Sequence, residues 1–94
     1  MALRFSGDGA RYNPYTDVVT FFAMDGDTMV MCTVTRDSLE SLENATGLTD
    51  WALVAAFAKH RARIERMVRE RHGRRPQLVF ALVAADFSER QGTA

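Results

Sequence analysis

Apolar and polar positions in the first third of the chain predict a β-hairpin. Residues 18–24 are rich in β-branched and aromatic side chains, which favour strands. Residues 28–35 return, and the intervening pair Asp25-Gly26 is a strong hairpin signal, because type I′ turns need positive φ at both central positions. On the second strand, one face carries Val30, Cys32 and Val34, and the other carries Met29, Met31 and Thr33. Both faces are apolar, so we expect a central strand or one whose second face is covered by a partner.

Helical spacing begins after this hairpin. Asp37 and Glu40 have the spacing of a capping box, in which side chains and backbone N–H groups at a helix start satisfy each other. A short helix is therefore predicted over about residues 37–45, and Gly47 is expected to end it.

A long helix is predicted from about Trp51 to about Arg71. Thr49 and Asp50 offer N-caps, and Gly73 stands where helices often end on a left-handed residue. About 21 residues at about 1.5 Å each span about 30 Å, close to the diameter of a domain of this size. The second half of this helix is therefore expected to overhang the sheet and to need cover.

The order of these elements predicts an α+β fold. Residues 78–84 are a further apolar run with strand propensity, and residues 3–5 are a short strand candidate, whereas residues 7–17 carry turn and loop chemistry. We expect a small antiparallel sheet with both helices packed on one face. The prediction is a single domain over residues 1–94, with residues 88–94 as a flexible tail.

An acid–base pair interrupts the apolar stripe of the long helix. At about 100° per residue, the stripe comprises Trp51, Val54, Phe57, Ala58, Ile64 and Val68. Arg61 and Glu65 lie at its centre, four residues apart, which is close enough for an ion pair. A structural salt bridge is the favoured interpretation, because burying either charge alone would be costly. A binding or subunit-contact site is the alternative, and a catalytic pair is the third.

Charge is unevenly distributed along the chain. The 94 residues have a formal net charge of zero, but residues 1–50 hold three basic and eight acidic residues, a net of −5, and residues 51–94 hold nine and four, a net of +5. The candidate anion-binding face of the long helix comprises Lys59, Arg63, Arg66, Arg69, Arg74 and Arg75. A solvated face that complements the helix dipole is one interpretation. Contact with nucleic-acid phosphates or another anionic surface is the other.

The sequence contains no recognisable catalytic, cofactor or metal motif. Cys32 is the single cysteine, and its mid-strand position favours a buried, inert thiol. His60 and His72 lie about 18 Å apart along one helix and lack ligand-type neighbours three or four positions away. We therefore expect no cofactor, no metal and no enzymatic activity, and no small-molecule ligand is identifiable.

The apolar segments are short. The longest, residues 78–85, is far below the roughly 20 residues of a membrane span. The amino terminus lacks the apolar stretch of a signal peptide. With one cysteine, these features predict a reducing cytoplasm and no membrane span.

Three segments together resemble a small bacterial family called domain of unknown function 1488. They are residues 12–21 (YNPYTDVVTF), residues 32–39 (CTVTRDSL) and residues 57–65 (FAKHRARIE), the last being similar to that family's helix motif Phe-x-x-His/Asn-Arg-x-x-Ile-Glu. Asp86-Phe87 is similar to its usual ending. The resemblance spans about residues 5–87 and implies a compact α+β domain in the bacterial cytoplasm, with no established activity.

Two departures accompany this resemblance. His72 stands where the family usually has a tyrosine, and the loop at residues 74–77 is more basic than is typical. Arg61 and Glu65 correspond to the family's paired Arg and Glu, so the resemblance implies a specific structural role for them.

Three functional hypotheses follow from the sequence. The first is a non-enzymatic interaction module that forms a homodimer through the second face of the sheet or the overhanging helix. The alternative is binding of nucleic acid or an anionic surface by the candidate anion-binding face. The third is an undetected enzyme, whose pocket would combine Arg61 and Glu65 with Tyr12 or Tyr15.

Overall fold

A five-stranded sheet with helices on one face organises the chain. The computed structural model describes residues 3–5 and 9–87. The strands are β1 (Arg4–Phe5), β2 (Arg11–Asn13), β3 (Val18–Asp25), β4 (Thr28–Thr35) and β5 (Val79–Leu82). The helices are α1 (Arg36–Glu43), α2 (Asp50–Lys59) and α3 (Arg61–Arg74), and a short 3-10 helix spans Ala84–Phe87. The fold is therefore α+β, as the sequence predicts.

The predicted hairpin forms from β3 and β4. The two strands pair antiparallel over their whole length, from Val18 opposite Thr35 to Asp25 opposite Thr28. The connecting residues are Gly26 and Asp27, and of these two only Gly26 has a positive φ, 63°. A glycine with positive φ at the first central position is typical of a type II′ turn, so the expected type I′ turn is wrong.

The edge strand beside β3 is broken in two. β1 pairs antiparallel with Ala23 and Met24, and β2 pairs antiparallel with residues 18–20 of the same strand. β1 agrees with the strand expected over residues 3–5. β2 was missed, because only three residues of the predicted loop pair with the sheet and they have no apolar alternation.

The last strand corrects the prediction of an antiparallel sheet. β5 pairs parallel to β4, with Met31 opposite Val79 and Val34 opposite Leu82, so the sheet is mixed. Parallel neighbours require a crossover connection. The chain between β4 and β5 supplies it as three helices that cover one face of the sheet.

α1 starts and ends earlier than expected. Its N-cap is Thr35, whose hydroxyl accepts a hydrogen bond from the Ser38 N–H, so the proposed capping box at Asp37 is wrong. Asn44 ends the helix in the left-handed conformation, with φ 55°, and the chain does not continue helically to Gly47. Asparagine tolerates this conformation better than most residues, which explains the earlier end.

The predicted long helix is two helices that meet at His60. The Thr49 hydroxyl accepts from the Ala52 N–H, which confirms this residue as the N-cap of α2. His60 leaves helical geometry at φ −103° and ψ 14°. α3 then passes through Gly73 and ends at Arg74, because Arg75 precedes Pro76 and takes an extended conformation, with φ −151°. The helix end expected at Gly73 is therefore wrong.

The break changes which face of the helix is buried. α2 buries Leu53, Ala56 and Phe57, and α3 buries Ile64, Val68 and His72. On one continuous helix, the centres of these two faces would lie about 70° apart. Trp51 and Ala58, placed in the predicted stripe, are exposed. A bend at His60 thus lets both helices bury their apolar faces against the same sheet.

The core lies between the inner face of the sheet and the helices. The Phe21 and Phe57 rings join the two layers, with centroids 4.8 Å apart. The fully buried strand residues are Val19, Phe21, Ala23, Val30, Cys32, Val34 and Leu82. Those of β4 alternate along the strand as the sequence pattern predicts. The predicted tail at 88–94 lies outside the described residues.

Candidate functional site

The face of the sheet opposite the helices carries a group of apolar side chains. We call it the outer sheet face, and it comprises Phe22, Met24, Met29, Met31 and Val79. Phe22, Met31 and Val79 stand side by side across β3, β4 and β5, and Met24 and Met29 form the next pair. Met29 is 59% exposed and Val79 is 51% exposed. The second apolar face expected for residues 28–35 is thus open to solvent in the part of the chain that the structure describes.

Polar side chains border this group. Thr20 and Thr33 form the next row of the same face, and the arginines at positions 4 and 11 lie at its edge on β1 and β2. A groove opens where the edge strand is broken, between Arg4, Gly9 and Phe22. An apolar centre with a polar rim is the anatomy of many protein–protein contact surfaces.

Arg61 and Glu65 lie at the start of α3 and contact each other. Arg61 Nε donates to Glu65 Oε2 at 2.5 Å, and the two side chains are 21% and 15% exposed. The Arg61 guanidinium also lies 5.3 Å from the centre of the Phe57 ring. Both charges are partly buried, so each is compensated only while the other is present. Its role in function stays a prediction.

Three members of the candidate anion-binding face contact other groups of the chain, and the other three are exposed. The Lys59 ammonium lies 3.3 Å from Glu43, and Arg63 donates to the Phe87 carbonyl oxygen at 3.3 Å. The Arg69 guanidinium stacks 4.9 Å from the centre of the Phe5 ring, which belongs to the edge strand β1. Arg66, Arg74 and Arg75 are exposed. Lys59 belongs to α2 and the other helical members belong to α3, so the break at His60 lies within the predicted set.

A smaller basic group does form at the end of α3. We call it the β5 basic cluster, and it consists of Arg71, Arg74 and Arg75, which line a shallow cavity together with Phe80 and Ala81 of β5. Arg71 donates to Asp86 at 2.5 Å. Arg71 was not among the residues predicted for the candidate anion-binding face, although spacings of three and four residues place these arginines on one side of a helix.

A polar network surrounds Arg36. Its Nε donates to both carboxylate oxygens of Asp17 at 3.0 Å, and its Nη1 donates to Glu40 and to the Leu48 carbonyl oxygen. The Tyr12 hydroxyl donates to Asp17 at 2.5 Å. This network connects the turn before β3 with α1 and with the loop before α2.

The same network shifts the titration of its members. The hydrogen bonds from Tyr12 and Arg36 hold the pKa of Asp17 below its ordinary value. The Asp17 carboxylate, followed by burial, raises the pKa of Tyr12. Asp17 also has a positive φ of 59°, a conformation that aspartate accepts more readily than most residues. A tyrosine with a raised pKa that donates to a carboxylate stays protonated, so these groups act as a structural clamp. Tyr12 was a candidate from the sequence alone, whereas its partner Asp17 is evident only in the structure.

Two histidines have partners that helical spacing alone does not show. His60 Nε2 lies 2.6 Å from Glu43 Oε2, which joins the helix break to α1. This contact, followed by that of Lys59, lowers the pKa of Glu43. The buried His72 contacts Asp25, which lies far from it in sequence.

Cys32 has the burial expected for an inert thiol. Its side chain is fully buried in β4, and burial raises its pKa to about 12. Thiolate, the nucleophilic form, is therefore scarce at neutral pH. Within residues 3–5 and 9–87, no three His, Cys, Asp or Glu side chains are grouped so that they could hold a metal ion. No helix in this part of the chain is long and apolar enough to cross a bilayer.

Comparison with known proteins gives one family and one similar structure. The sequence model of a family described as "Protein of unknown function (DUF1488)" matches residues 3–77. The fold is similar to the crystal structure of a protein of unknown function from the same family in Shewanella loihica PV-4, with a TM-score of 0.74 and 15% sequence identity. The similarity covers 86% of this chain and 91% of that one. No curated protein matches the sequence.

Proposed function

Because this chain belongs to the DUF1488 family, whose description assigns no activity, we propose from its surfaces that it is a non-enzymatic interaction module. In this proposal the protein works as a homodimer whose subunits meet through the outer sheet face. The observation that carries the proposal is the exposed row of Phe22, Met31 and Val79 across three adjacent strands.

The chemistry of the outer sheet face supports a second copy as the occupant. Its centre carries no charged side chain, so a two-fold axis through it would place apolar groups on apolar groups without opposing like charges. The formal net charge of zero also removes a general repulsion between copies. Stacked sheets pack about 10 Å apart, a distance that methionine and phenylalanine side chains fill well.

The internal use of the polar groups supports a non-enzymatic role. Tyr12 donates to Asp17, and Arg61 donates to Glu65, so side chains considered for a catalytic pocket are held by partners within the chain. Tyr15, the other tyrosine considered, is 96% exposed and lies in a turn. A location in the reducing cytoplasm suits a chain whose single thiol is buried at Cys32.

Sedimentation velocity across a range of protein concentrations tests the proposal. We expect the wild-type protein to dimerise and Met31→Lys to shift it to the monomer, because the substitution places a charge at the centre of the outer sheet face. Trp51→Lys is the matched control, since Trp51 is 75% exposed but lies on α2, away from this face. Circular dichroism would show that both variants keep the fold.

Two outcomes would contradict a homodimer formed through the outer sheet face. One is a wild-type protein that remains strictly monomeric at high micromolar concentration. The other is a dimer that Trp51→Lys dissociates and Met31→Lys does not, which would move the contact to the helical layer.

A further inference from the structure

β5 forms an open edge of the sheet. It is the last strand in the order of the sheet, and no described residue pairs with its outer side. Leu78 and Val83, which flank it, are 62% and 45% exposed. Edge strands of natural proteins are commonly protected by charged residues, proline or bulges, because their unpaired backbone groups can pair with another strand. Residues 78–84 contain neither charge nor proline.

The register identifies the backbone groups that this edge presents. The Met31 N–H donates to the Leu78 carbonyl oxygen, and Met31 is the partner of Val79 in a parallel ladder. In such a ladder the N–H and C=O groups of every second residue point away from the neighbouring strand. The N–H and C=O groups of Val79 and Ala81 therefore point to the open side, where they can accept a further strand.

The two sides of this edge differ in chemistry. On the helix side, the β5 basic cluster of Arg71, Arg74 and Arg75 surrounds a cavity that also includes Phe80. Among residues 3–5 and 9–87, no acidic side chain lines this cavity, and Asp86, the partner of Arg71, follows β5 in the chain. On the other side, the edge continues into the apolar outer sheet face through Val79.

We propose that the β5 edge binds an extended peptide segment of a partner protein in which acidic and apolar residues alternate. The segment adds a strand to the sheet through the backbone groups of Val79 and Ala81. Side chains of an added strand alternate between the two faces. Acidic side chains then meet the β5 basic cluster, and the apolar side chains between them extend the outer sheet face.

Charge favours such a peptide over a second copy of this chain at the same edge. Two β5 strands paired about a two-fold axis would bring two β5 basic clusters together, with like charges opposed. Apolar side chains beside the arginines also favour a peptide over nucleic acid, whose contacts go largely to phosphate and sugar. The peptide site uses the backbone of Val79 and Ala81 and the β5 basic cluster, whereas the homodimer contact proposed above uses side chains of the outer sheet face, so either proposal can fail without the other.

Fluorescence anisotropy with short labelled peptides tests the inference on the unaltered protein. We expect binding of a peptide of alternating aspartate and valine. We expect about tenfold weaker binding, or none, of a peptide with lysine in place of aspartate. A third peptide, with aspartate retained but every second backbone nitrogen methylated, cannot donate the strand hydrogen bonds from those positions. Two such peptides are needed, one methylated at the odd positions and one at the even positions. At least one of the two should bind about tenfold more weakly than the unmodified peptide.

Protein variants locate the site. The double variant Arg74→Gln, Arg75→Gln should raise the Kd of the aspartate peptide about tenfold or more. Arg11→Gln, at the opposite edge of the sheet, is the matched control and should leave the Kd unchanged. Ala81→Pro removes the N–H that points to the open side, and it should weaken binding of the peptide in a protein that keeps its circular dichroism spectrum.

The same measurements can overturn the inference. Equal affinity for the aspartate and lysine peptides would contradict the role of the arginines. Unchanged affinity for both methylated peptides would contradict strand addition. Tighter binding of a labelled DNA or RNA strand than of the aspartate peptide, lost in the Arg74→Gln, Arg75→Gln variant, would assign the basic cluster to nucleic acid instead.

Discussion

His72 Nε2 lies 2.7 Å from Asp25 Oδ2, and this contact joins the end of α3 to the tip of the β3–β4 hairpin across 47 residues of sequence. The Gln77 N–H donates to His72 Nδ1 at 3.3 Å. Because Nδ1 accepts this hydrogen bond, it carries no proton, and Nε2 is the nitrogen that donates to Asp25. The ring is 5% exposed and packs edge-on against Phe80. A neutral histidine thus satisfies both of its nitrogens in a nearly closed environment.

This assignment predicts unequal effects of two substitutions at Asp25. Asp25→Asn retains an oxygen that accepts from His72, so we expect a loss of less than about 1 kcal/mol in the free energy of unfolding. Asp25→Ala leaves a buried N–H without its partner and should cost about 1–3 kcal/mol. Urea unfolding at neutral pH measures both. Equal losses would show that the hydrogen bond to His72 does not stabilise the hairpin tip.

The Arg61–Glu65 pair predicts non-additive stability. Arg61→Ala leaves Glu65 uncompensated and removes the contact with Phe57, so we expect a loss of about 1–3 kcal/mol, below the value for complete burial because both side chains are partly exposed. The double variant Arg61→Leu, Glu65→Met should recover much of this loss, since an apolar pair avoids desolvation of charge. Thermal and urea unfolding of the single and double variants would measure it. A wild-type stability in Arg61→Ala would contradict a buried role for the pair.

The clamp at Asp17 predicts a specific dependence of stability on pH. The pKa of Asp17 is lower in the folded protein than its ordinary value. Its contribution is therefore present in full above the unfolded pKa and is lost as pH falls through the folded pKa. Asp17→Asn should lower stability at pH 7 and reduce the loss between pH 7 and strongly acidic pH.

Urea unfolding of wild type and Asp17→Asn at a series of pH values checks this expectation. Asp37→Asn is the matched control, because Asp37 is exposed and its side chain has no partner among the described residues. Parallel pH profiles for wild type and Asp17→Asn would contradict the clamp. Glu43, whose pKa is also lowered, remains in both proteins and contributes equally to their profiles.

Alanine substitutions at two glycines should change the stability of the protein in opposite directions. Gly26 has φ 63° in the hairpin turn, so Gly26→Ala should destabilise by about 1–2 kcal/mol, although no neighbouring atom blocks the added methyl group. Gly73 lies inside α3 with open space around it, so Gly73→Ala should stabilise by about 0.5 kcal/mol. Thermal unfolding resolves both signs. Destabilisation by Gly73→Ala would restore the helix end predicted there from the sequence.

Local features were predictable because the residues that determine them are neighbours in the chain. The hairpin of β3 and β4 follows from two β-prone runs around Asp25-Gly26, and the N-cap of α2 follows from Thr49. Burial of Cys32 follows from alternation within a single strand. The apolar second face of β4, which leads to the proposed homodimer, was visible in the same alternation.

Only the tertiary structure decided the features that depend on distant residues. The parallel direction of β5 depends on the path of three helices across the sheet, and no pattern inside residues 79–82 encodes it. The bend at His60 arises because α2 and α3 bury differently oriented faces against one sheet, with Glu43 of α1 holding the bend. A helical wheel assumes one straight axis, so it placed Trp51 in the core and assigned the basic residues to one surface. Sequence periodicity therefore determined most of the helical and strand segments. Packing between them determined the direction of β5, the contact of Asp25 with His72 and the assembly of the β5 basic cluster.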